Sequence, residues 1–270
     1  MKRKALATAI TAVALSPAGL SAESFFDKVS WVPGAGIQVK NLDFNLDRIA
    51  GGSGLTSASG EFDVDMLVLA VGLTAVYDRY YIALRREDSV DDALTNTTVP
   101  LTGGKSSIQR EDTSLALGIT MVDGLNVYVG YMAGETTIKN ITGFRSTQSP
   151  RYTQKYREDG FFVGASYSLP IQNLGTMSLS AGYAFMDGAY DDNDALKFDY
   201  DGNADGLSVG ATWSAPLTTR IGYYLDLRYQ IYEFDGDDAN GNAQYRNDDQ
   251  SEVMHPARAL LLIAATLWHV

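Results

Sequence analysis

A strict two-residue alternation between Arg220 and Phe234 is the feature that most limits how this chain can fold. Successive side chains of a β-strand point to opposite faces, so every second residue shares a face. One face here is apolar and the other carries charge. The apolar set is Ile221, Tyr223, Leu225, Leu227, Tyr229 and Ile231, and the other set is Gly222, Tyr224, Asp226, Arg228, Gln230 and Tyr232. The stretch predicts a long strand whose apolar face is edged by tyrosines, which suits lipid between two interfaces.

The same alternation recurs along the chain and predicts about ten strands. Their ranges are 29–40, 61–77, 80–87, 110–121, 125–131, 161–169, 177–186, 207–213, 220–234 and 253–270. Connections near 78, 123, 172 and 217 are short, whereas 41–60, 88–108, 139–156, 187–205 and 235–251 are long, polar and predicted as loops. Short periplasmic turns and long extracellular loops are typical of outer-membrane β-barrels. An even number of strands places both termini on the periplasmic side.

Aromatic residues gather near the predicted short turns, as expected for an interfacial girdle. They are Tyr77, Tyr80, Tyr167, Trp213, Tyr223 and Trp268. A water-soluble β-sandwich would also alternate, but it does not explain the one-sided loop lengths together with the girdle. The sequence therefore predicts an all-β, transmembrane, antiparallel up-and-down β-barrel.

The first 22 residues have the pattern of a secretory signal peptide. A basic start is followed by an apolar run over 5–15, too short to span a bilayer as a helix, and by small residues up to Ala22. An N-terminal membrane anchor is the alternative. We expect cleavage after Ala22 and a barrel over 23–270. Cleavage would remove three of the 21 basic and none of the 33 acidic residues, leaving a net charge of −15.

This composition excludes several classes of function. The acidic balance repels nucleic acid and attracts cations. The absence of cysteine excludes a disulfide scaffold, cysteine nucleophiles and thiolate metal sites.

By signal peptide, alternation, loop asymmetry and aromatic girdle, the mature chain resembles the Gram-negative outer-membrane β-barrel proteins over its whole length. The resemblance is to the class and not to one family. It implies a monomer in the bacterial outer membrane, with outer-membrane lipids, lipopolysaccharide and the outer-membrane assembly machinery as partners. The C-terminus departs from the class, which usually ends in an aromatic residue, because Trp268 lies two positions before Val270.

Charged residues on the predicted inner faces form the candidate site. They are Asp63, Asp65, Arg85, Glu87, Arg110, Asp112, Asp226 and Arg228. Charges of both signs inside a barrel are expected to pair, and a barrel of this size can be filled by side chains. A filled structural lumen and a narrow channel for a small solute both stay open at this point, since a selective channel favours a constriction of one sign.

Two catalytic arrangements are incomplete. The omptin proteases are ten-stranded outer-membrane barrels, and a resemblance to them implies paired aspartates with an Asp-His couple. Asp63 and Asp65 could form the pair, but no Asp-x-His occurs in the chain. His255 lies near Ser251 and Glu252 and is a possible centre for a lipid hydrolase. Without a complete base to activate water, the sequence predicts that the protein is not an enzyme.

A partial calcium motif is the best local signature. Asp201, Asn203, Asp205 and Gly206 match the first half of a calcium loop, but Thr212 stands where a bidentate glutamate is expected. The sequence thus predicts weak calcium binding at Asp201, Asn203 and Asp205, or no cofactor. For function it predicts a narrow passive channel or a structural envelope protein. The alternatives are a surface adhesin or ligand-binding barrel acting through acidic loops, and, third, a lipid hydrolase.

Overall fold

Eleven antiparallel strands make up most of the chain that this computed structural model describes, residues 28–49, 58–97, 104–122, 124–140, 153–192, 200–218, 221–238 and 244–253. The strands are β1 (Ser30–Ile49), β2 (Ala58–Tyr77), β3 (Tyr80–Ser89), β4 (Ala93–Thr97), β5 (Gly104–Val122), β6 (Leu125–Asn140), β7 (Thr153–Ile171), β8 (Gly175–Asp192), β9 (Tyr200–Pro216), β10 (Gly222–Asp238) and β11 (Gln244–Val253). Among these residues, no helix is long and apolar enough to cross a membrane.

The strands close into a ring. β1 pairs with β2 and with β11, and β3 pairs with β2 and with β5, so the order β1-β2-β3-β5-β6-β7-β8-β9-β10-β11 returns to β1. The predicted ten-stranded antiparallel up-and-down barrel is confirmed. We call the end with the short turns at 78–79 and 172–174 the lower end, and the opposite end the upper end.

β3 and β4 share one position of the ring. β3 ends at Ser89, and β4 continues along β5 from Ala93. The break is bridged by two hydrogen bonds, because Val90 N donates to Leu67 O at 2.8 Å and Arg110 N donates to Ser89 Oγ at 3.0 Å. The barrel wall is therefore continuous through the interruption.

Residues that tolerate a left-handed backbone form the lower turns. Asp78 has φ 54° and Asn173 has φ 64°, and Gly124 and Gly175 lie at 82° and 99°. Asn, Asp and Gly are the residues that adopt this conformation at least cost, so the short turns follow directly from the sequence.

The outer surface of the lower part of the barrel is an apolar band. On β2 it consists of residues that are each 39–46% exposed: Leu67, Leu69, Val71 and Leu73. On β7 the outward apolar run extends from Phe161 to Ile171. These ten steps span about 33 Å of strand at about 3.3 Å per residue, or about 25 Å along the axis for a tilt of about 40°. This is the height of the lipid-facing band of membrane barrels.

Aromatic girdles border the band at both edges. At the lower edge Tyr77, Tyr80 and Tyr167 are exposed, and the Trp213 ring packs edge-to-face on Tyr223 at 5.5 Å. Trp268, predicted for the same girdle, lies outside the described residues. A second girdle, not predicted, marks the upper edge. Its ring pairs are Tyr131 with Phe161 at 5.3 Å and Tyr183 with Phe185 at 4.8 Å.

The strands continue above the band, where the sequence predicts loops. β1 runs to Ile49, β8 to Asp192 and β10 to Asp238, while β5, β7, β9 and β11 begin inside the predicted loop segments. The loop predictions for 41–60, 88–108, 139–156, 187–205 and 235–251 are therefore wrong over these parts. Of the predicted tenth strand 253–270, everything beyond Val253 lies outside the described residues.

The reason is that the two faces exchange their chemistry at the top of the band. The outer face of β2 changes from Leu67 to the exposed Asp65 and Asp63, and that of β8 changes from Phe185 to the exposed Asp187. The inner face of β8 changes from Ser178 and Ser180 to the buried Met186 and Tyr190. Above the band the barrel resembles a water-soluble protein, with polar groups outside and apolar groups inside. Because the outer faces of these strand extensions are polar, their composition resembles that of loops, and the sequence therefore predicts loops there.

Candidate functional site in the barrel interior

Six of the eight predicted lumen charges point into the barrel. They are Arg85, Glu87, Arg110, Asp112, Asp226 and Arg228. Glu87 and Arg110 are 1% exposed and Asp112 is 2% exposed, so these charges are removed from solvent. Together with Lys40 and Glu158 they form a set of interior ion pairs that we call the charge belt.

The other two predicted charges, Asp63 and Asp65, do not belong to the interior. Both are exposed on the outer face of β2, opposite the buried Val64 and Met66. Asn41 Nδ2 donates to Asp63 Oδ1 at 2.7 Å and to Asp65 Oδ1 at 3.1 Å. They were assigned to the lumen because the outer face was assumed to be apolar along the whole strand, which holds only below Asp65.

Lys40 is the centre of one half of the belt. Its Nζ lies 2.7 Å from Glu87 Oε2 and donates to Asp112 Oδ2 at 2.8 Å. Glu87 also pairs with Arg85, whose Nη2 donates to Gln38 Oε1 at 3.3 Å. The sequence prediction missed Lys40. The sequence does carry a signal for Lys40, because Gln38, Lys40 and Leu42 are spaced two residues apart and therefore share the inward face of β1.

Arg110 connects the belt to β6 and β7. Its Nε donates to Asp112 Oδ1 at 2.9 Å, its Nη1 donates to Thr136 Oγ1 at 2.9 Å, and its Nη2 pairs with Glu158. Glu158 was also missed, since it falls between the predicted loop 139–156 and the predicted strand 161–169. Its even position on β7, in step with the inward Phe162, was the available signal.

Asp226 and Arg228 extend the belt onto β10. Thr212 Oγ1 donates to Asp226 Oδ1 at 2.5 Å, and Arg228 Nη2 lies 3.3 Å from Asp226 Oδ2. Asp226 also acts electrostatically on Arg85, and Arg228 on Glu87. The charge belt thus contains four cations and four anions, which balance.

An apolar core lies above the belt. The Phe44 and Tyr156 rings pack edge-to-face at 5.6 Å, and Tyr156 packs on Phe234 at 6.0 Å. Ile108 and Ile138, which oppose each other on β5 and β6, are 0% exposed. The part of the interior that these strands enclose is therefore filled by side chains above the ion pairs.

Glycines on the inner face leave the space that bulky side chains of the neighbouring strand occupy, and we call these glycines the glycine seats. A Cβ on Gly206 would lie 1.9 Å from Tyr232 Cδ1, and one on Gly130 would lie 2.1 Å from Phe162 Cζ. A Cβ on Gly134 would lie 2.5 Å from Arg110 Nη2. The lack of a Cβ at these glycines makes room for two aromatic rings and for Arg110 of the charge belt. The alternation pattern does not predict this role.

The predicted calcium residues lie in a strand. Asp201, Asn203 and Asp205 occupy alternate exposed positions of β9, paired with β8 and β10. Residues two apart on a strand are about 6.6 Å apart, so Asp201 and Asp205 are separated by about 13 Å. One ion with ligands at about 2.3–2.6 Å cannot join all three. The loop geometry on which the calcium prediction rests is therefore wrong. Weak calcium binding by the exposed carboxylates of β9 stays a prediction, and so does surface binding through these acidic residues.

The described residues contain no cluster of three or more His, Asp or Glu side chains placed to hold a metal ion. Ser251 and Glu252 belong to β11, while His255 and His269 lie outside the described residues. The hydrolase arrangement around His255 therefore stays a prediction.

Comparison with solved structures identifies a similar barrel. The outer membrane protease OmpT from Escherichia coli matches with a TM-score of 0.56 and 10% identity, over 89% of this chain and 97% of that chain. No protein-family model matches the chain, and no curated protein matches it in sequence. The fold and the apolar band place the chain in the outer-membrane β-barrel class of architectures.

This likeness also corrects one prediction. The inference that the protein is not an enzyme is overturned, because a barrel of this architecture, matched over 97% of its length, is a protease. At 10% identity the likeness shows the fold alone, so the chemistry of this chain is considered below as a proposal.

Proposed function

We propose that the chain is a Gram-negative outer-membrane barrel with a structural role in the envelope, closed to solutes and with its upper end outside the cell. The observation that carries the proposal is the filled interior, in which the charge belt and the apolar core lie one above the other. The apolar band between two aromatic girdles supports the membrane location, and the short lower turns support a periplasmic lower end.

A closed interior fits the belt better than a channel does. A selective channel needs a water-filled path and a constriction that presents charge of one sign. Here the charges balance, and Lys40 Nζ lies 2.7 Å from Glu87 Oε2 and 2.8 Å from Asp112 Oδ2. Buried charges held this closely contact each other in place of solvent or a passing solute.

Planar-bilayer recording tests the closed barrel. The refolded protein is expected to give no conductance steps at either polarity, while a porin inserted in parallel shows that the bilayer is competent. Discrete steps that change in Arg110→Ala or Asp226→Ala would contradict the proposal, because those side chains would then line a conducting path.

Hydrolysis at the upper end is the second candidate, and the fold likeness to an outer membrane protease favours it. The purified barrel is assayed with a fluorogenic peptide library and with labelled phospholipid. Cleavage that disappears in Asp63→Asn or His255→Ala, but persists in His269→Ala, would support this candidate. A wild-type protein that is folded and inactive in both assays would remove it.

A further inference from the structure

A small cavity of about 30 Å³ lies inside the barrel beside the charge belt. Side chains of Tyr128, Ser180, Ser208, Arg228 and Gln230 line it. The cavity is thus bordered by hydroxyl, amide and guanidinium groups and also by the apolar Met132, Phe162 and Ala184.

Gln230 brings an unsatisfied polar group to this cavity. Its side chain is 3% exposed, and its Nε2 donates to Tyr232 Oη at 2.8 Å. Its Oε1 is buried and has no hydrogen-bond partner in the protein. If the amide were rotated, Tyr232 could donate to Oε1, and Nε2 would take the unsatisfied position instead. Either orientation leaves one buried group that needs a partner.

Two hydroxyls beside Gln230 are only weakly bonded. Ser208 Oγ donates to Gly182 O at 3.5 Å, and Tyr128 Oη donates to Ala181 O at 3.5 Å. Both distances are at the limit for a hydrogen bond, so these hydroxyls retain capacity for a closer partner.

The chemistry of the lining selects the ligand. A cation is disfavoured by the Arg228 guanidinium, and an anion is disfavoured by the Gln230 carbonyl and by Asp226, which lies 3.3 Å from Arg228. A purely apolar ligand would leave Gln230 unsatisfied. A neutral molecule that both donates and accepts hydrogen bonds meets every requirement. Since a cavity needs about 10–15 Å³ to hold one water molecule, this cavity of about 30 Å³ holds about two.

We propose that this cavity is a binding site for about two water molecules that bridge Gln230 to the hydroxyls of Ser208 and Tyr128. The waters complete the hydrogen bonding of the interior where side chains leave space. The site is independent of whether the upper end has enzymatic activity, and it remains compatible with a barrel that conducts no solute.

High-resolution crystallography with and without xenon tests the site. In the wild-type protein we expect ordered solvent within hydrogen-bond distance of Gln230, and no xenon. Gln230→Met keeps the side-chain length but removes the polar group, so it is expected to lose at least one water and to admit xenon. Ser178→Ala is the matched control, because Ser178 bonds Ser168 at 2.7 Å and does not line the cavity.

Xenon in the wild-type cavity, or an empty cavity without solvent density, would overturn the proposal. Unchanged waters in Gln230→Met would overturn it as well. If that variant does not fold, water-to-amide cross-relaxation at the Gln230 side chain of the wild-type protein in nanodiscs shows whether the cavity contains water. Absence of this cross-relaxation would overturn the proposal.

Discussion

Lys40 Nζ lies 2.7 Å from Glu87 Oε2, so the interior joins β1 and β3, which are not hydrogen-bonded neighbours in the ring. The same ammonium reaches Asp112 on β5. One side chain therefore holds three strands together at the upper edge of the apolar band.

Removing Lys40 should destabilise the folded barrel strongly. In Lys40→Met, Glu87 and Asp112 lose a cation in a buried site, and breaking a buried ion pair in this way costs about 3–5 kcal/mol. Equilibrium unfolding in urea, followed by the heat-modified gel shift of the refolded protein, measures the loss.

Arg86→Met is the control for this experiment. Arg86 pairs with Asp88 and Glu111 on the outer surface, where its side chain is 44% exposed. Exposed pairs contribute about 0–1 kcal/mol, so this variant should remain close to the wild type. If Lys40→Met lowered the free energy of unfolding no more than Arg86→Met does, the buried ion pairs of Lys40 would not stabilise the barrel.

Gly206→Ala should be far more damaging than Gly34→Ala. The new methyl group would meet the ring of Tyr232, which is 1% exposed and packs directly on Gly206. Overpacking of this kind costs about 1–3 kcal/mol. A Cβ on Gly34 meets nothing within 4 Å, so the second variant should unfold at the wild-type urea concentration.

An arginine placed on the outer surface should reveal the membrane level. Leu117, 54% exposed on β5, lies within the apolar band, whereas Ala133 lies above the Tyr131 girdle on β6. Leu117→Arg should cost about 2–4 kcal/mol in a lipid bilayer and Ala133→Arg about 0–1 kcal/mol. Unfolding in lipid vesicles measures both. Equal costs would place the lipid boundary elsewhere.

Glu135, on the upper part of β6, should titrate below the ordinary glutamate range. Partial burial raises the pKa of Glu135, but hydrogen bonds from Lys155 Nζ at 2.5 Å and Arg157 Nε at 2.8 Å lower it further than burial raises it. Because the folded pKa is depressed, the stabilisation is present above the unfolded pKa and is lost as the pH falls through the folded one.

Carboxyl-labelled NMR measures this titration. In the double variant Lys155→Met and Arg157→Met only the effect of burial remains, so the pKa of Glu135 should rise to or above its ordinary value. A midpoint that does not change would mean that the two cations do not hold the carboxylate charged.

The part of the fold within the apolar band could be predicted from sequence, because there each strand has one face for lipid. Met177 to Phe185 and Phe161 to Leu169 alternate clearly, and turn residues such as Asp78 mark the lower end. Above the band no such rule holds. Asp63 and Asp65 continue the outer face of Leu67, yet their polarity suggested the lumen.

The site was predicted in part for a related reason. Alternation identifies which charges face inward, as it did for Arg110 and Asp226, but it does not identify their partners. Lys40 and Glu158 join the belt through neighbours 72 and 48 residues away in sequence, a relationship that depends on the closed ring. The cavity beside Gln230 depends on packing and has no signature in a single sequence.

The glycine seats have a consequence for assembly. Gly206, Gly130 and Gly134 each lie against a side chain of a hydrogen-bonded neighbouring strand, namely Tyr232, Phe162 and Arg110. If β9 and β10 paired one residue out of step, Tyr232 would face a residue with a Cβ, and every side chain of the shifted strand would change face. The glycine seats therefore favour the native register of these strand pairs, because a shift by one residue removes the space in which Tyr232, Phe162 and Arg110 fit.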